Sequence, residues 1–284
     1  MRIDDLRQRI DGFGASSAWY AARLANLAED QRDDVIRLFF DRETGAGLTI
    51  LRVRISPYSF DTESGEYDWA TERHAAQLEW IKAVKSRHDV LLFGSPWTPP
   101  KAFKDNDDVK HGGRLKREHY DDYARYLASW VRGLAERGIA VDVLSLQNEP
   151  GKKRWESCEW TYEQFRDFFA GHLAPRFAAD ALDTKLLAAE WTGWSDKWIN
   201  RLLADPATRE HLDIAGAHTY WGGFKNIRPF PKVQETGIPL WMTEHFFEGK
   251  VEDEMHRALI NAKESESFGL ELPPRTIVTL VPAR

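Results

Sequence analysis

Short β-strand patterns alternate along this chain with longer amphipathic patterns, and this alternation restricts the possible folds more than any other feature. It is typical of parallel βα units rather than of a β-sandwich, because each parallel strand needs a helical connection back to the same end of the sheet. Seven strands are predicted, at Gln8–Gly14, Leu48–Ile55, Asp89–Trp97, Val141–Asn148, Lys185–Trp191, Ile214–Trp221 and Pro239–His245. The series predicts an α/β fold, a (β/α)8 TIM-type barrel, with an open doubly wound sheet as the alternative.

Two stretches carry clear helical signals. Between Arg117 and Arg137 apolar residues recur every three or four positions, and Gly138 then supplies a left-handed stop. Thr161 and Gln164 have the spacing of a capping box, which predicts the start of another helix. The GFG string at residues 12–14 lacks the rest of a G-x-G-x-x-G fingerprint, so a dinucleotide-binding fold has little support.

The C-terminal end departs from this alternation. A helix-like stretch, Glu252–Lys263, is followed by two β-like segments, Ser267–Leu272 and Arg275–Val281, with no helix between them. An eighth barrel strand is not found where the barrel would place it. We therefore predict an incomplete barrel over residues 1–264 and a C-terminal β tail over 265–284, left from a β-sandwich. The last segment is expected to lie against the barrel as a substitute edge strand or as part of that remnant.

Composition narrows the classes of partner. The chain has 39 Lys and Arg against 45 Asp and Glu, a net charge of -6, which argues against a nucleic acid because such partners require a basic surface. No run approaches the roughly 18 apolar residues of a membrane span. The 12 Trp, 15 Phe and 8 Tyr offer flat apolar faces suited to sugar rings. The N-terminal stretch lacks the apolar segment of a secretory signal, so localisation stays open, as does the oligomeric state.

No motif indicates a metal or a cofactor. H-E-x-x-H and paired C-x-x-C strings are absent, and the single cysteine, Cys158, has no evident base partner. We therefore predict that neither a metal ion nor another cofactor takes part.

Polar residues are concentrated at the C-terminal ends of the predicted strands, where the active sites of barrels lie. Strand four ends in the string QNEP and strand seven in WMTEH, which places Glu149 and Glu244 at two strand ends. Two glutamates facing each other across one mouth are what glycoside hydrolysis requires of its acid and its nucleophile. Either glutamate alone indicates little, whereas the pair favours this function.

Six strand-end motifs resemble, in the same order, those of glycoside hydrolase family 30. They are IDGFGA (10–15), LRVRI (51–55), SPWTPP (95–100), SLQNEP (145–150), AHTY (217–220) and WMTE (241–244). The resemblance spans residues 9 to 257 and is greatest to the bacterial glucuronoxylanase and endo-β-1,6-glycanase branches. It implies a clan-A barrel and a retaining hydrolase of β-linked polysaccharide, either xylan or glucuronoxylan or a β-1,6-glycan.

The resemblance also implies roles for both glutamates. Glu149 would be the acid/base, for which we expect a pKa raised by burial or by a neighbouring carboxylate. Glu244 would be the nucleophile, and in a retaining pair the two carboxyl groups lie about 5 to 5.5 Å apart.

The implied substrate-binding residues surround this pair. Asn148 would bond the sugar 2-OH, and Tyr220 would donate to Glu244. Arg52 would hold Glu244 ionised, with a barrel-wall salt bridge as the equal alternative. Trp97 would be a sugar platform, with Trp191 and Trp221 as lesser candidates. His218 and His245 are interpreted as polar residues satisfied at strand ends.

Two further hypotheses stay open. Family members carry an eighth barrel strand and a β-sandwich built from both chain ends, so this chain could be a truncated, marginally stable and inactive homologue or a non-catalytic glycan binder. An exo-acting glucosylceramidase-like or fucosidase-like glycosidase is the other alternative. Secretion is expected for the family.

Overall fold

The computed structural model describes residues 10–70, 72–220, 227–246 and 277–281. Its strands are β1 (Gly12–Ser16), β2 (Ile50–Ile55), β3 (Leu91–Pro96), β4 (Val143–Ser145), β5 (Lys185–Trp191), β6 (Ile214–His218), β7 (Leu240–Phe246) and β8 (Ile277–Val281). The α-helices are α1 (Ala21–Ala25), α2 (Glu29–Phe40), α3 (Glu72–Lys85), α4 (Tyr120–Ala135), α5 (Tyr162–Phe168), α6 (Ala174–Ala179), α7 (Lys197–Ala204), α8 (Pro206–Arg209) and α9 (Pro231–Thr236).

The strands form a closed barrel in chain order, and every neighbouring pair is parallel. The predicted TIM-type barrel is therefore confirmed, rather than the open doubly wound sheet. The helices connect successive strands on the outside, as parallel pairing requires. None of the helices in the described ranges is both long and apolar enough to cross a membrane.

Each of the seven predicted strands overlaps an observed one, and the largest difference in length is at β4. This strand has three residues, whereas Val141–Asn148 was predicted. The chain turns after it, but Asn148 N–H still donates to Pro96 O at 2.8 Å and Glu149 N–H to Glu190 O at 3.1 Å. The turn therefore stays bound to both neighbouring strands. Gln8 and Trp221, at the ends of two predicted strands, lie outside the described residues.

The helical signals also correspond to observed structure. The first predicted helix is a 3-10 turn, Arg117–His119, that continues into α4, and Gly138 follows it with a φ of 75°. Thr161 and Gln164 form both hydrogen bonds of the capping box at the start of α5. The stretches 252–263 and 267–272 lie outside the described residues.

The segment Ile277–Val281 is a barrel strand. It pairs in parallel with β1, where Gly12 lies opposite Ile277, and with β7, where Met242 lies opposite Val278. The prediction that this last segment lies against the barrel as a substitute edge strand is confirmed, because it occupies the gap between β7 and β1. The barrel is thus closed by an eighth strand, which lies in the stretch that was assigned to the tail. Both β7 and β1 would otherwise present unpaired N–H and C=O groups. The division of the chain at residue 264 stays a prediction.

Apolar side chains fill the lower part of the barrel, and two irregular pairings aim charged residues into the upper part. One residue from each of six strands forms the apolar cluster: Ile50, Phe93, Val143, Leu187, Ile214 and Trp241. Because side chains alternate along a strand, Glu190 and Glu244 would point away from the face that Leu187 and Trp241 occupy. The register shifts at these two positions, and such bulges redirect side chains near active sites.

The pairing of β8 predicts that its backbone is needed for stability. Thr279 lies opposite Gly14, and proline at this position would remove an N–H donor and crowd the neighbouring strand, at a cost of about 3 kcal/mol or more. Thr279→Pro should therefore lower the midpoint of urea unfolding clearly. Thr279→Val keeps the N–H and the branched shape and serves as the control. Equal stability of the two variants would contradict the assignment of β8.

Candidate active site

Strand ends bring the predicted pair of glutamates to one mouth of the barrel. Glu149 lies in the turn after β4, which ends at Ser145, and Glu244 lies near the end of β7. Arg52 of β2, Glu190 of β5 and His218 of β6 lie between them, and all three side chains are fully buried. Charged groups are rarely buried unless they are paired, so the partners of each group determine what the site can do.

Arg52 is the centre of this group. Its Nη2 donates to Asn148 Oδ1 and to Glu190 Oε1, both at 2.8 Å, and to Ser95 Oγ at 3.2 Å. Its Nη1 donates to Glu244 Oε2. Burial lowers the pKa of Arg52, but the negative charges of Glu190 and Glu244 outweigh it and raise the pKa, so the guanidinium stays charged. Arg52 was predicted to pair with Glu244 or to form a barrel-wall salt bridge. The structure contains the pairing with Glu244 together with a second ion pair, to Glu190.

Glu190 is a member of the site that the sequence analysis missed. Its carboxylate accepts hydrogen bonds from Arg52 and, at 2.6 Å, from Ser95 Oγ. Burial raises its pKa, but Arg52 and then His218 more than reverse this, and the pKa falls to about 2. Its backbone has a φ of 49°, which is uncommon for a residue with a side chain. A lone acidic residue in the apolar string LLAAEW was the available signal.

Glu244 is held by two donors. Besides Arg52, Tyr220 Oη donates to its Oε1 at 2.7 Å, as was expected of this tyrosine. Burial and the negative charge of Glu244 raise the pKa of Tyr220 far above its ordinary value, so the phenol keeps its proton. Both carboxylate oxygens of Glu244 are thus fixed in place, and its side chain remains 14% exposed at the mouth.

Glu149 has positively charged neighbours rather than another carboxylate. His218 Nδ1 lies 3.4 Å from its Oε1, and Lys152 Nζ lies 3.6 Å from its Oε2. Burial raises the pKa of Glu149, but these two cations outweigh burial and the pKa is lowered. The expectation of a raised pKa was therefore wrong, because the sequence does not show that a histidine from β6 faces the residue that follows β4.

His218 joins two carboxylates. Its Nε2 lies 3.5 Å from Glu190 Oε1, on the ring edge opposite to the contact with Glu149. Burial lowers the pKa of His218, but Glu244, Glu149 and Glu190 raise it to about 9, so the imidazole is protonated at neutral pH. From the sequence, His218 was predicted only as a polar residue satisfied at a strand end, and this bridge was not predicted. His245, by contrast, bonds Thr219 Oγ1 at 2.7 Å.

The aromatic candidates occupy different parts of the mouth. Trp97 follows β3 and is only 8% exposed, and the guanidinium of Arg52 lies 4.7 Å from its ring centre. Its ring meets the half-exposed Trp19 edge-on at 5.5 Å, so Trp19 supplies the open aromatic face on that side. Trp191 ends β5, and Trp221 lies outside the described residues.

Other catalytic groups find little support in the described part of the chain. There, no cluster of three or more His, Cys, Asp or Glu side chains could hold a metal ion. Burial raises the pKa of the Cys158 thiol to about 12, which leaves it unreactive at neutral pH.

Comparisons with known proteins identify relatives of this barrel. Residues 10–227 match the sequence profile described as "Glycosyl hydrolase family 30 TIM-barrel domain". The chain is 28% identical to a glucuronoxylanase of Bacillus subtilis over 247 residues, which are 85% of this chain and 52% of that protein. It is 24% identical to an endo-1,6-β-D-glucanase of Neurospora crassa over 213 residues, which are 66% of this chain and 44% of the relative.

A solved structure shows the same relationship. The family 30 subfamily 8 xylanase of Clostridium acetobutylicum is 30% identical, with a TM-score of 0.78, over 99% of this chain and 66% of that one. The chain thus spans about half the length of the curated relatives that it matches.

The depressed pKa of Glu190 predicts a pH-dependent contribution to stability. A carboxyl whose pKa falls from 4.5 to about 2 on folding stabilises the fold by about 3 kcal/mol above pH 4.5. This contribution is lost as the pH falls from 4.5 towards 2. Glu190→Gln should therefore lower the free energy of unfolding by about that amount at pH 7, and the gap to the unmodified protein should narrow below pH 4.5.

Urea unfolding between pH 7 and pH 3 measures this gap. Glu79→Gln is the matched control, because Glu79 is exposed on α3 and pairs with Lys82 at 3.3 Å; it should change stability by less than about 0.5 kcal/mol. A gap for Glu190→Gln that stays constant with pH would contradict the assignment.

Proposed function

The chain belongs to glycosyl hydrolase family 30, and from this premise we propose that it is a retaining hydrolase of β-linked polysaccharide, acting on xylan, glucuronoxylan or a β-1,6-glycan. The observation that carries the proposal is the joining of Glu149 and Glu244 through one buried chain of charged groups, Arg52, Glu190 and His218. The names of the relatives, a glucuronoxylanase and an endo-1,6-β-D-glucanase, support the substrate classes.

Glu244 is the proposed nucleophile. One carboxylate oxygen attacks the anomeric carbon, the bond from this carbon to the glycosidic oxygen breaks, and a covalent glycosyl-enzyme forms. Arg52 and Tyr220 each donate a hydrogen bond to the carboxylate and so orient it before the attack. Asn148 accepts a hydrogen bond from Arg52 through Oδ1, which orients its amide nitrogen as the donor for the sugar 2-OH.

Glu149 is the proposed acid/base, and its proton is held on His218 in the resting protein. The two groups titrate as a pair because they lie 3.4 Å apart. When a sugar fills the mouth and excludes water, the ion pair loses solvation, which favours transfer of the proton from Nδ1 to the carboxylate. Glu149 then protonates the leaving oxygen. In the second step it removes a proton from the water that attacks the glycosyl-enzyme.

A screen on polysaccharides tests this function. The purified chain is incubated with xylan, glucuronoxylan, β-1,6-glucan and β-1,6-galactan, and the configuration of the first product is followed by proton NMR. Retention of the β configuration supports the proposal. Binding without any turnover would instead favour the glycan-binding or inactive homologue, and release of single sugars from chain ends would favour an exo-acting enzyme.

Azide distinguishes the two glutamates. Glu244→Ala should abolish turnover, and azide should restore only a product of inverted configuration, because azide takes the place of the nucleophile. With Glu149→Ala, azide should attack the covalent intermediate and give a product of retained configuration. Near-normal activity of Glu244→Ala would contradict the assigned roles.

The shared proton predicts an unusual pH profile. If the Glu149–His218 pair holds the proton, the basic limb of kcat/KM should follow the histidine, whose pKa is about 9. In His218→Gln only the carboxyl holds the proton, so the basic limb should move to lower pH. His172→Gln is the control, because this histidine pairs with Asp121 outside the barrel. A basic limb that moves to higher pH in His218→Gln would show that Glu149 alone carries the proton.

A further inference from the structure

The loop that follows β5 forms a pocket beside the mouth, and the reaction steps described above do not use it. Its volume is about 400 Å³. We call it the tryptophan pocket, and it is lined by Trp191, Gly193, Trp194, Ser195, Lys197 and Trp198. These residues run from the last position of β5 into the first turn of α7. The pocket therefore opens at the same end of the barrel as the two glutamates.

Three indole rings give the pocket fixed walls. The rings of Trp191 and Trp198 lie 5.1 Å apart at 43°, and both side chains are partly exposed. Trp198 is supported from behind by Phe165, at 5.3 Å and 62°. Trp194 is nearly buried, and its Nε1 donates to Arg228 O at 2.8 Å. Preformed aromatic walls of this kind bind a ligand without the cost of ordering side chains.

The pocket also carries polar groups at its edge. Lys197 is exposed, and Asp196, its neighbour in sequence, pairs instead with Arg228 at 3.1 Å. Ser195 adds a hydroxyl to the lining. Flat apolar faces combined with a few hydrogen-bond donors suit a sugar ring, which has apolar faces and polar edges.

The pocket is in contact with the segment that carries Glu149. Gly151 lies two residues after Glu149, and an added Cβ at Gly151 would come within 2.8 Å of the Trp191 ring. The backbone N–H of Glu149 donates to the carbonyl of Glu190, the residue before Trp191. The position of the indole is thus tied to that of the proposed acid through one backbone hydrogen bond and through the packing of the ring on Gly151.

We propose that the tryptophan pocket binds the sugar units on the leaving-group side of the bond that is cleaved. This inference rests on the proposed function, in which Glu149 protonates the leaving oxygen, so the departing chain must lie next to Glu149. The pocket is on the β5 side of this residue, whereas Trp19 and Trp97 follow β1 and β3 on its other side. A substrate that occupies both sides extends past the cleaved bond in both directions, which is the requirement for endo action.

Two kinds of substrate distinguish binding on the leaving-group side from a general effect of the pocket on activity. The β-xylobioside and β-gentiobioside of 4-nitrophenol place no sugar on the leaving-group side, whereas xylan and β-1,6-glucan do. Trp191→Ala should lower kcat/KM on the polysaccharide roughly tenfold or more and leave kcat/KM on the matching nitrophenyl glycoside within about twofold. Trp198→Phe keeps an aromatic wall, so its kcat/KM on the polysaccharide should lie between the values of the unmodified protein and of Trp191→Ala. Trp155→Ala is the control, because Trp155 is 67% exposed and does not line the pocket.

A binding measurement tests the same inference without turnover. Calorimetric titration of the folded Glu244→Gln protein with xylotriose and gentiotriose should show binding of at least one of them. Adding the Trp191→Ala substitution should lower the affinity for that trisaccharide roughly tenfold, whereas adding Trp155→Ala should leave the affinity unchanged. Three results would overturn the inference. In the kinetic test, Trp191→Ala would lower kcat/KM equally on the polysaccharide and on the nitrophenyl glycoside. In the binding test, Trp191→Ala would leave trisaccharide binding unaltered, or neither trisaccharide would bind at all. If trisaccharide binding depends on Trp191 but the unmodified protein shows no turnover, sugar binding in the tryptophan pocket is supported and the proposed hydrolase function is refuted.

Discussion

The buried guanidinium of Arg52 is the interaction on which the rest of the site depends. An isolated charge at this depth would be strongly unfavourable, and Arg52 is stable there because Glu190 and Glu244 accept its hydrogen bonds. The planar fork of the guanidinium also fixes directions, since Nη2 reaches Asn148 and Glu190 while Nη1 reaches Glu244. Because Nη2 also donates to Ser95, this one side chain orients groups at four other strand ends.

The same charge balance determines where protons reside. Arg52 neutralises one of the two carboxylates that it touches, and the remaining negative charge keeps the imidazole of His218 protonated. That imidazolium in turn lowers the pKa of Glu149. If Glu149 is the acid, as proposed, its lowered pKa differs from the usual arrangement, in which burial alone keeps a carboxyl protonated. In the proposed mechanism the proton that Glu149 requires is held by the neighbouring His218, whose pKa is raised to about 9.

Much of the fold could be predicted because it depends on local patterns. Strand and helix periodicity, the capping box at Thr161 and the polar strand ends are all properties of short segments. Glu149 and Glu244 were predicted to share one mouth because parallel strands end there. The resemblance to the family implied Arg52 and Tyr220 as partners of Glu244, and the structure brings these groups together. Which carboxylate faces which cation could not be read in this way, because it depends on contacts between distant strands.

The missed features share this origin. Glu190 points into the mouth through a register shift, and strict alternation would have turned it away. The pKa of Glu149 depends on His218, sixty-nine positions along the chain. Ile277–Val281 was predicted to lie against the barrel, as a substitute edge strand or as a sandwich remnant. Because it follows no regular βα spacing, only its pairing with β1 and β7 distinguishes the two.

The closure of the barrel by β8 has a consequence for the order of events during synthesis. Gly12 pairs with Ile277, so the sheet joins two segments that are far apart in the sequence, and β1 leaves the ribosome well before β8. Until β8 emerges, β1 and β7 have open edges that other chains can pair with. The barrel therefore stays an unclosed sheet until all of the sequence from β1 to β8 has been synthesised, and it is during this interval that chaperones would have the greatest effect on its yield.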